Sequence, residues 1–192
     1  MVIQFTSGCP NNCAYCYEPK EIKCYNPEIP ITKELIQISD MNFLANPNAI
    51  NILKALPKQK YELICGVDHR LLTQEHCNLF KEKGFIKIRW AWDYTFNQQK
   101  KHQKVWQMFL KSGYKSQELS VFILVNWKTP YLDCIRKLDL LKIWNVKVND
   151  CCFDGGYKLA KPHYWDIDQI KRFRKACRKH NQMVLFKIDP EL

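Results

Sequence analysis

Apolar and polar positions change period several times along the chain. Short apolar runs bounded by turn residues predict six strands, at Val2 to Thr6, Ile38 to Leu44, Tyr61 to Cys65, Ile86 to Trp92, Leu119 to Val125 and Val146 to Cys152. A seventh run, Met183 to Ile188, predicts a last short strand. Between them, apolar residues three and four apart predict helices. Leu72, Cys77 and Phe80 mark one that ends at Gly84, and Val105, Met108 and Phe109 mark another before Gly113. Leu132, Ile135, Leu138 and Leu141 mark a third; Asp166 predicts the N-cap of a fourth with Ile167, Ile170, Phe173 and Cys177 on one face.

Strands alternating with helices predict an α/β fold of mainly parallel strands. At this length the expectation is a partial (β/α)6 TIM-like barrel in a single domain spanning 1–192, with an open doubly wound sheet as the competing architecture. Either way, ligands sit beyond the carboxyl ends of the strands, so residues there are the candidates for chemistry. Trp90 and Trp92 share a strand face at period two, which predicts a core or barrel-lining role.

Composition narrows the classes. Hydrophobic residues are 46% and charged residues 26%, near the averages for globular chains, which excludes disordered and fibrous classes. No run approaches the roughly 18 uninterrupted apolar residues of a membrane span. The opening MVIQFTSGCPNNC lacks the charged start and apolar run of a secretion signal, so a cytoplasmic location and no membrane partner are expected. In that compartment the 10 cysteines predict thiols or metal ligands rather than disulfides. Thirty lysines and arginines against 19 acidic residues leave a net charge of +11, compatible with a nucleic-acid or other polyanionic partner or with a basic solvated surface.

The most specific signal follows the first strand. GCPNNCAYCYEP places Cys9, Cys13 and Cys16 on one short loop. Three thiolates are one fewer than the four that complete a cubane iron–sulfur cluster, and a centre with an open position is catalytic in kind. The alternative is a structural zinc site with a distant fourth ligand such as Cys24 or His69, although no second tight Cys or His pair follows at finger-like spacing.

Cys-x3-Cys-x2-Cys with an aromatic residue, Tyr15, before the last cysteine resembles the signature of the radical S-adenosylmethionine (SAM) superfamily. The resemblance implies a [4Fe–4S] cluster on Cys9, Cys13 and Cys16, with SAM chelating the open iron and Tyr15 near the adenine. It also implies reductive cleavage of SAM to methionine and a 5′-deoxyadenosyl radical that abstracts hydrogen from a substrate. A reductant protein such as a flavodoxin or ferredoxin would supply the electron.

The remaining candidates lie at strand ends. SDMNFLANP lacks the glycines commonly found at the family's SAM-amino site but is similar to an Asp-x-Asn-Phe variant, which singles out Asp40 and Asn42; both can accept from an ammonium group, or merely cap a turn. In CGVDHRLLT, Arg70 could grip the methionine carboxylate or an anionic substrate, or pair structurally with Asp68. Asp93 ends the fourth strand, where the superfamily often holds the ribose hydroxyls, and Asn126 and Arg89 are further candidates for the same cavity. Cys24, Cys151 and Cys152 are candidates for an auxiliary cluster, with buried thiols as the default.

The resemblance leaves the substrate open. A strand starting at residue 2 and a short stretch past the sixth strand predict a core catalytic module without an added cobalamin or auxiliary-cluster domain. Within the superfamily the alternatives are a glycyl-radical-enzyme activase and a tRNA- or nucleotide-modifying enzyme. The last helix, with Lys171, Arg172, Arg174, Lys175, Arg178 and Lys179, would serve the latter. From a different class, a zinc-stabilised nucleic-acid-binding module would use the triplet for folding alone.

Overall fold

The computed structural model describes residues 1–153 and 165–186. It is a mixed α/β fold with two three-stranded parallel sheets. The first joins β1 (Val2–Ile3), β4 (Ile36–Ile38) and β5 (Tyr61–Leu63) in that order. The second joins β6 (Ile88–Ala91), β7 (Leu119–Val125) and β8 (Lys147–Cys152). Isolated parallel bridges between Tyr61 and Phe85 and between Val67 and Trp90 connect the two, and the described residues form no closed barrel. A separate antiparallel pair, β2 (Thr6–Ser7) with β3 (Lys23–Cys24), was not expected from the sequence because each strand is only two residues long.

Among the described residues, five helices cover the sheets: α1 (Ala49–Ala55), α2 (Gln74–Lys83), α3 (Gln99–Lys111), α4 (Tyr131–Trp144) and α5 (Ile167–Phe186). Local signals explain their ends. Thr73 caps α2 by accepting from the His76 amide while His76 Nδ1 reciprocates, and Gly84 ends the helix in the left-handed conformation. Asp166 Oδ1 accepts from Gln169 N at 2.7 Å ahead of α5. β7 is buried along nearly its whole length, as a parallel strand covered on both faces should be. Trp90 and Trp92 are both fully buried, in the core as their shared face predicts.

Three expected strands differ from the structure; the run from Val2 to Thr6 is split, Val2–Ile3 pairing with β4 and Thr6 belonging to the antiparallel β2–β3 pair. The run from Ile38 to Leu44 is not continuous: pairing stops at Ile38, and Phe43–Ala45 form a 3-10 turn. The carboxylate of Asp40 accepts from the Phe5 backbone N–H at 2.8 Å and ties this bend to the chain leaving β1. Met183 to Phe186 are helical, because Val184 continues the buried spacing of Phe173, Cys177 and His180 along α5. Residues 187–188 of that expected strand lie outside the described residues.

Candidate functional site

The cysteine loop is closed at its base. Beyond the β2–β3 pair, Tyr25 N donates to Phe5 O at 2.8 Å, Cys9 N donates to Pro19 O at 2.8 Å, and the Ser7 and Tyr25 hydroxyls meet at 3.0 Å. Gly8 opens the loop at φ +78, with its N–H on Glu18 Oε1; a Cβ there would stand 1.9 Å from the Glu21 carbonyl oxygen. Only glycine fits that close approach. Cys9, Cys13 and Cys16 are all half-buried free thiols, and burial pushes the Cys16 thiol up.

A hydrogen-bonded hub holds this loop against the next two strand ends. Asp68 Oδ2 accepts from Asn11 Nδ2 at 2.6 Å and from Asn42 Nδ2 at 2.9 Å. Arg70 grips the same carboxylate through Nε at 2.7 Å and Nη2 at 3.1 Å, so Asp68 and Arg70 do form the ion pair weighed from sequence. Burial works against ionisation of Asp68, yet the bonds from Arg70 and Asn11 hold its carboxyl below the usual range. Gly66, at φ +83, permits the turn that delivers Asp68, since a Cβ would lie 2.7 Å from Arg89 O.

Cys9, Cys13 and Cys16 line one cavity of about 200 Å³ together with Tyr15, Asn42, Arg70 and Asp93. Thus four of the six expected cofactor-binding residues share a cavity with all three cysteines, although they come from four separate stretches of chain. Tyr15 donates to Asp93 Oδ2 at 2.5 Å. Burial raises the Asp93 carboxyl, opposed by this hydroxyl and by the nearby Lys137, while burial and Asp93 push the Tyr15 hydroxyl up. Two further cavities share walls with the first: one of about 270 Å³ with Tyr15, Asp93, Tyr94 and Trp127, and one of about 580 Å³ with His69, Arg70 and Lys101. The first cavity alone is below the roughly 300–1,000 Å³ of small-molecule sites; joined to either neighbour it falls among them.

Asp40 and Asn126 take other places. Asp40 is fully buried behind the cavity wall, where burial raises its carboxyl and its Oδ1 holds Phe5. Asn126 is buried with both amide ends engaged: Nδ2 donates to Phe153 O at 2.9 Å and Oδ1 accepts from Trp165 N at 3.2 Å. Both therefore act on the backbone, and neither lines the cysteine cavity. Arg89 pairs with Glu62 instead. Cys24 is exposed, and Cys151 and Cys152, on successive positions of β8, do not line the cavity. On α5, Arg174 pairs with Asp150 at 2.9 Å, while Lys171, Arg172, Lys175, Arg178 and Lys179 are exposed.

Sequence reasoning did not single out Asn11, Met41, Cys65, Tyr94 or Lys101, which also line the cavity. Asn11 lay inside the cysteine motif and could have been found by asking what orients the loop. Lys137 was hidden by its place in a helical run: it is fully buried, donating from Nζ to Trp92 O at 3.0 Å.

No protein-family model matches the chain, and no curated protein matches it. The fit of a metal centre is therefore a matter of the donors themselves. Among the described residues, no three His, Cys, Asp or Glu side chains are gathered to hold one metal ion. A cubane makes a different demand, because its cysteines bind separate irons. Cys9, Cys13 and Cys16 are free thiols on the wall of one cavity, the donor type a cubane takes, and Asn42, on the same wall, has a buried Oδ1 with no protein partner. Among the described residues, no helix is long and apolar enough to cross a membrane.

Proposed function

We propose that the chain is a radical SAM enzyme. The observation that carries the reading is the gathering of Cys9, Cys13 and Cys16 around one cavity with Tyr15, Asn42, Arg70 and Asp93. The order of six parallel strands supports a six-unit partial barrel whose carboxyl ends carry the site. When bound, a [4Fe–4S] cluster would supply one electron to cleave SAM to methionine and a 5′-deoxyadenosyl radical.

This chain's residues would bind, orient and shield. Cys9, Cys13 and Cys16 would hold the cluster. Asn42, whose Oδ1 has no protein partner, would accept from the SAM ammonium group, and Arg70, which also lies against Cys13, would grip the carboxylate with the donors that Asp68 leaves over. Tyr15, Tyr94 and Trp127 offer aromatic faces for adenine in the adjoining cavity, beside the Asp93 carboxylate for ribose hydroxyls. The reductant would be a low-potential flavin or iron–sulfur protein, acting in the cytoplasm.

The test is anaerobic purification, reconstitution with iron and sulfide, and measurement of 5′-deoxyadenosine after adding dithionite and SAM. Production that is lost in Cys13→Ala is the expected result. Stoichiometric zinc with no 5′-deoxyadenosine would overturn it in favour of a metal-stabilised binding module.

A further inference from the structure

The two asparagine amides of the hub have a second target. Asn11 Nδ2, besides its bond to Asp68, lies 3.3 Å from Cys9 Sγ. Asn42 Nδ2 repeats the pattern from another strand end, with Cys9 Sγ at 3.4 Å. A primary amide has two hydrogens, and each nitrogen here directs one to the carboxylate and one to the sulfur. Asp68 is in turn fixed by Arg70, so both amides are held by a buried, ionised anchor. Such convergence is more than packing requires: two donors from residues 31 positions apart meet on one thiol.

We infer that Asn11 and Asn42 are positioning residues that raise the reduction potential of a cluster held by Cys9, with Asp68 setting their direction; the inference rests on the cluster reading proposed above. A thiolate ligand donates electron density to its iron, and N–H donors on the sulfur draw part of that density away. The added electron is then better accommodated, and reduction becomes easier; hydrogen bonds to cluster sulfurs are among the factors that set such potentials. The cluster gains one electron from the reductant, and neither amide gains or loses a proton. Asn42 would thus act twice, through Nδ2 on Cys9 and through Oδ1 on the ligand in the cavity.

The experiment compares reconstituted wild type with Asn11→Ala, Asn42→Ala and the double variant. Midpoint potentials are read by mediated redox titration followed by electron paramagnetic resonance, and the iron–cysteine stretching bands by resonance Raman in H2O and D2O. Each single variant is expected to shift the midpoint to more negative values, the double variant further, and the deuterium sensitivity of the bands to fall in step. Asn11 is half-buried on a loop, so its alanine variant keeps the test intact should Asn42→Ala fail to fold. An Asn11→Ala protein with four irons whose potential and deuterium shift equal the wild type's would overturn the inference alone. A wild type that binds zinc or takes up no cluster would overturn the cluster reading, and this inference with it.

Discussion

Tyr15 and Asp93, 78 residues apart, are joined by a hydroxyl–carboxylate bond of 2.5 Å that fastens the cysteine loop to the end of β6. Burial raises the Asp93 carboxyl, so its partner matters more than a surface partner would. Removing a donor from a buried acceptor costs about 1–3 kcal/mol, and for the half-buried Asp93, which water can reach from the cavity, the lower end of about 1 kcal/mol applies. Tyr15→Phe keeps the ring, including its edge contact with Trp127 at 5.9 Å, and removes only the bond. Urea unfolding should show that loss of stability; an unchanged midpoint would mean the bond does not hold the loop.

Gly8 and Gly113 provide an internal comparison for the loop entrance. Both have positive φ, +78 and +87, so alanine at either meets left-handed strain of about 1–2 kcal/mol. At Gly113 the added Cβ meets only the Lys81 Cε at 3.9 Å, whereas at Gly8 it collides with Glu21 backbone. Gly8→Ala should therefore destabilise more than Gly113→Ala, and it alone should reduce the iron bound on reconstitution. Equal losses in both variants, by thermal unfolding and iron analysis, would show that the tight approach at Gly8 is not needed.

The parts of the fold legible in the sequence are those with strong period or punctuation. Leu119 to Val125 reads as a strand because both faces are covered, and Tyr131–Trp144 reads as a helix because its apolar spacing persists. The second expected strand ran past Ile38 because Met41, Phe43 and Leu44 are apolar for a different reason: Phe43 and Leu44 are buried in a 3-10 turn. The cysteine triplet was legible because one loop holds it. The hub around Asp68 was legible only as its Arg70 pair, since spacing cannot reveal that Asn11, Asn42 and Asp68 come together from three strand ends.

His102 should make the protein acid-sensitive. It is fully buried, its ring 4.4 Å from Trp92 and its Nδ1 accepting from Trp90 Nε1 at 3.2 Å, and burial pushes its pKa down to about 3. Below the unfolded value of about 6.5 the unfolded chain binds a proton that the folded chain does not, so stability falls as pH falls. Between pH 7 and pH 5 the loss from this group is about 2 kcal/mol. Burial also lowers His69, His76 and His180, which act in the same direction. His102→Gln keeps an acceptor for Trp90 and removes this group's titration, so the urea midpoints at the two pH values should lie closer together in the variant, with the other three histidines leaving a smaller difference. An equal pH dependence in both proteins would place the acid sensitivity elsewhere.

Asn126 separates a structural asparagine from a ligand-binding one. Its amide joins Phe153 O to Trp165 N, linking the end of β8 to the start of the α5 segment, and it occupies φ +61, where asparagine is tolerated better than most residues. Alanine would leave a buried carbonyl and a buried N–H unpaired, each costing about 1–3 kcal/mol. Asn126→Ala should therefore lower the urea midpoint substantially, yet, on the proposed function, its folded fraction should match the wild type in iron bound and 5′-deoxyadenosine released. Asn42→Ala should show the reverse emphasis under the proposed reading, because Asn42 lines the cavity and its Oδ1 has no protein partner. If SAM cleavage per bound cluster fell in Asn126→Ala and held in Asn42→Ala, the two residues' roles would have to be exchanged.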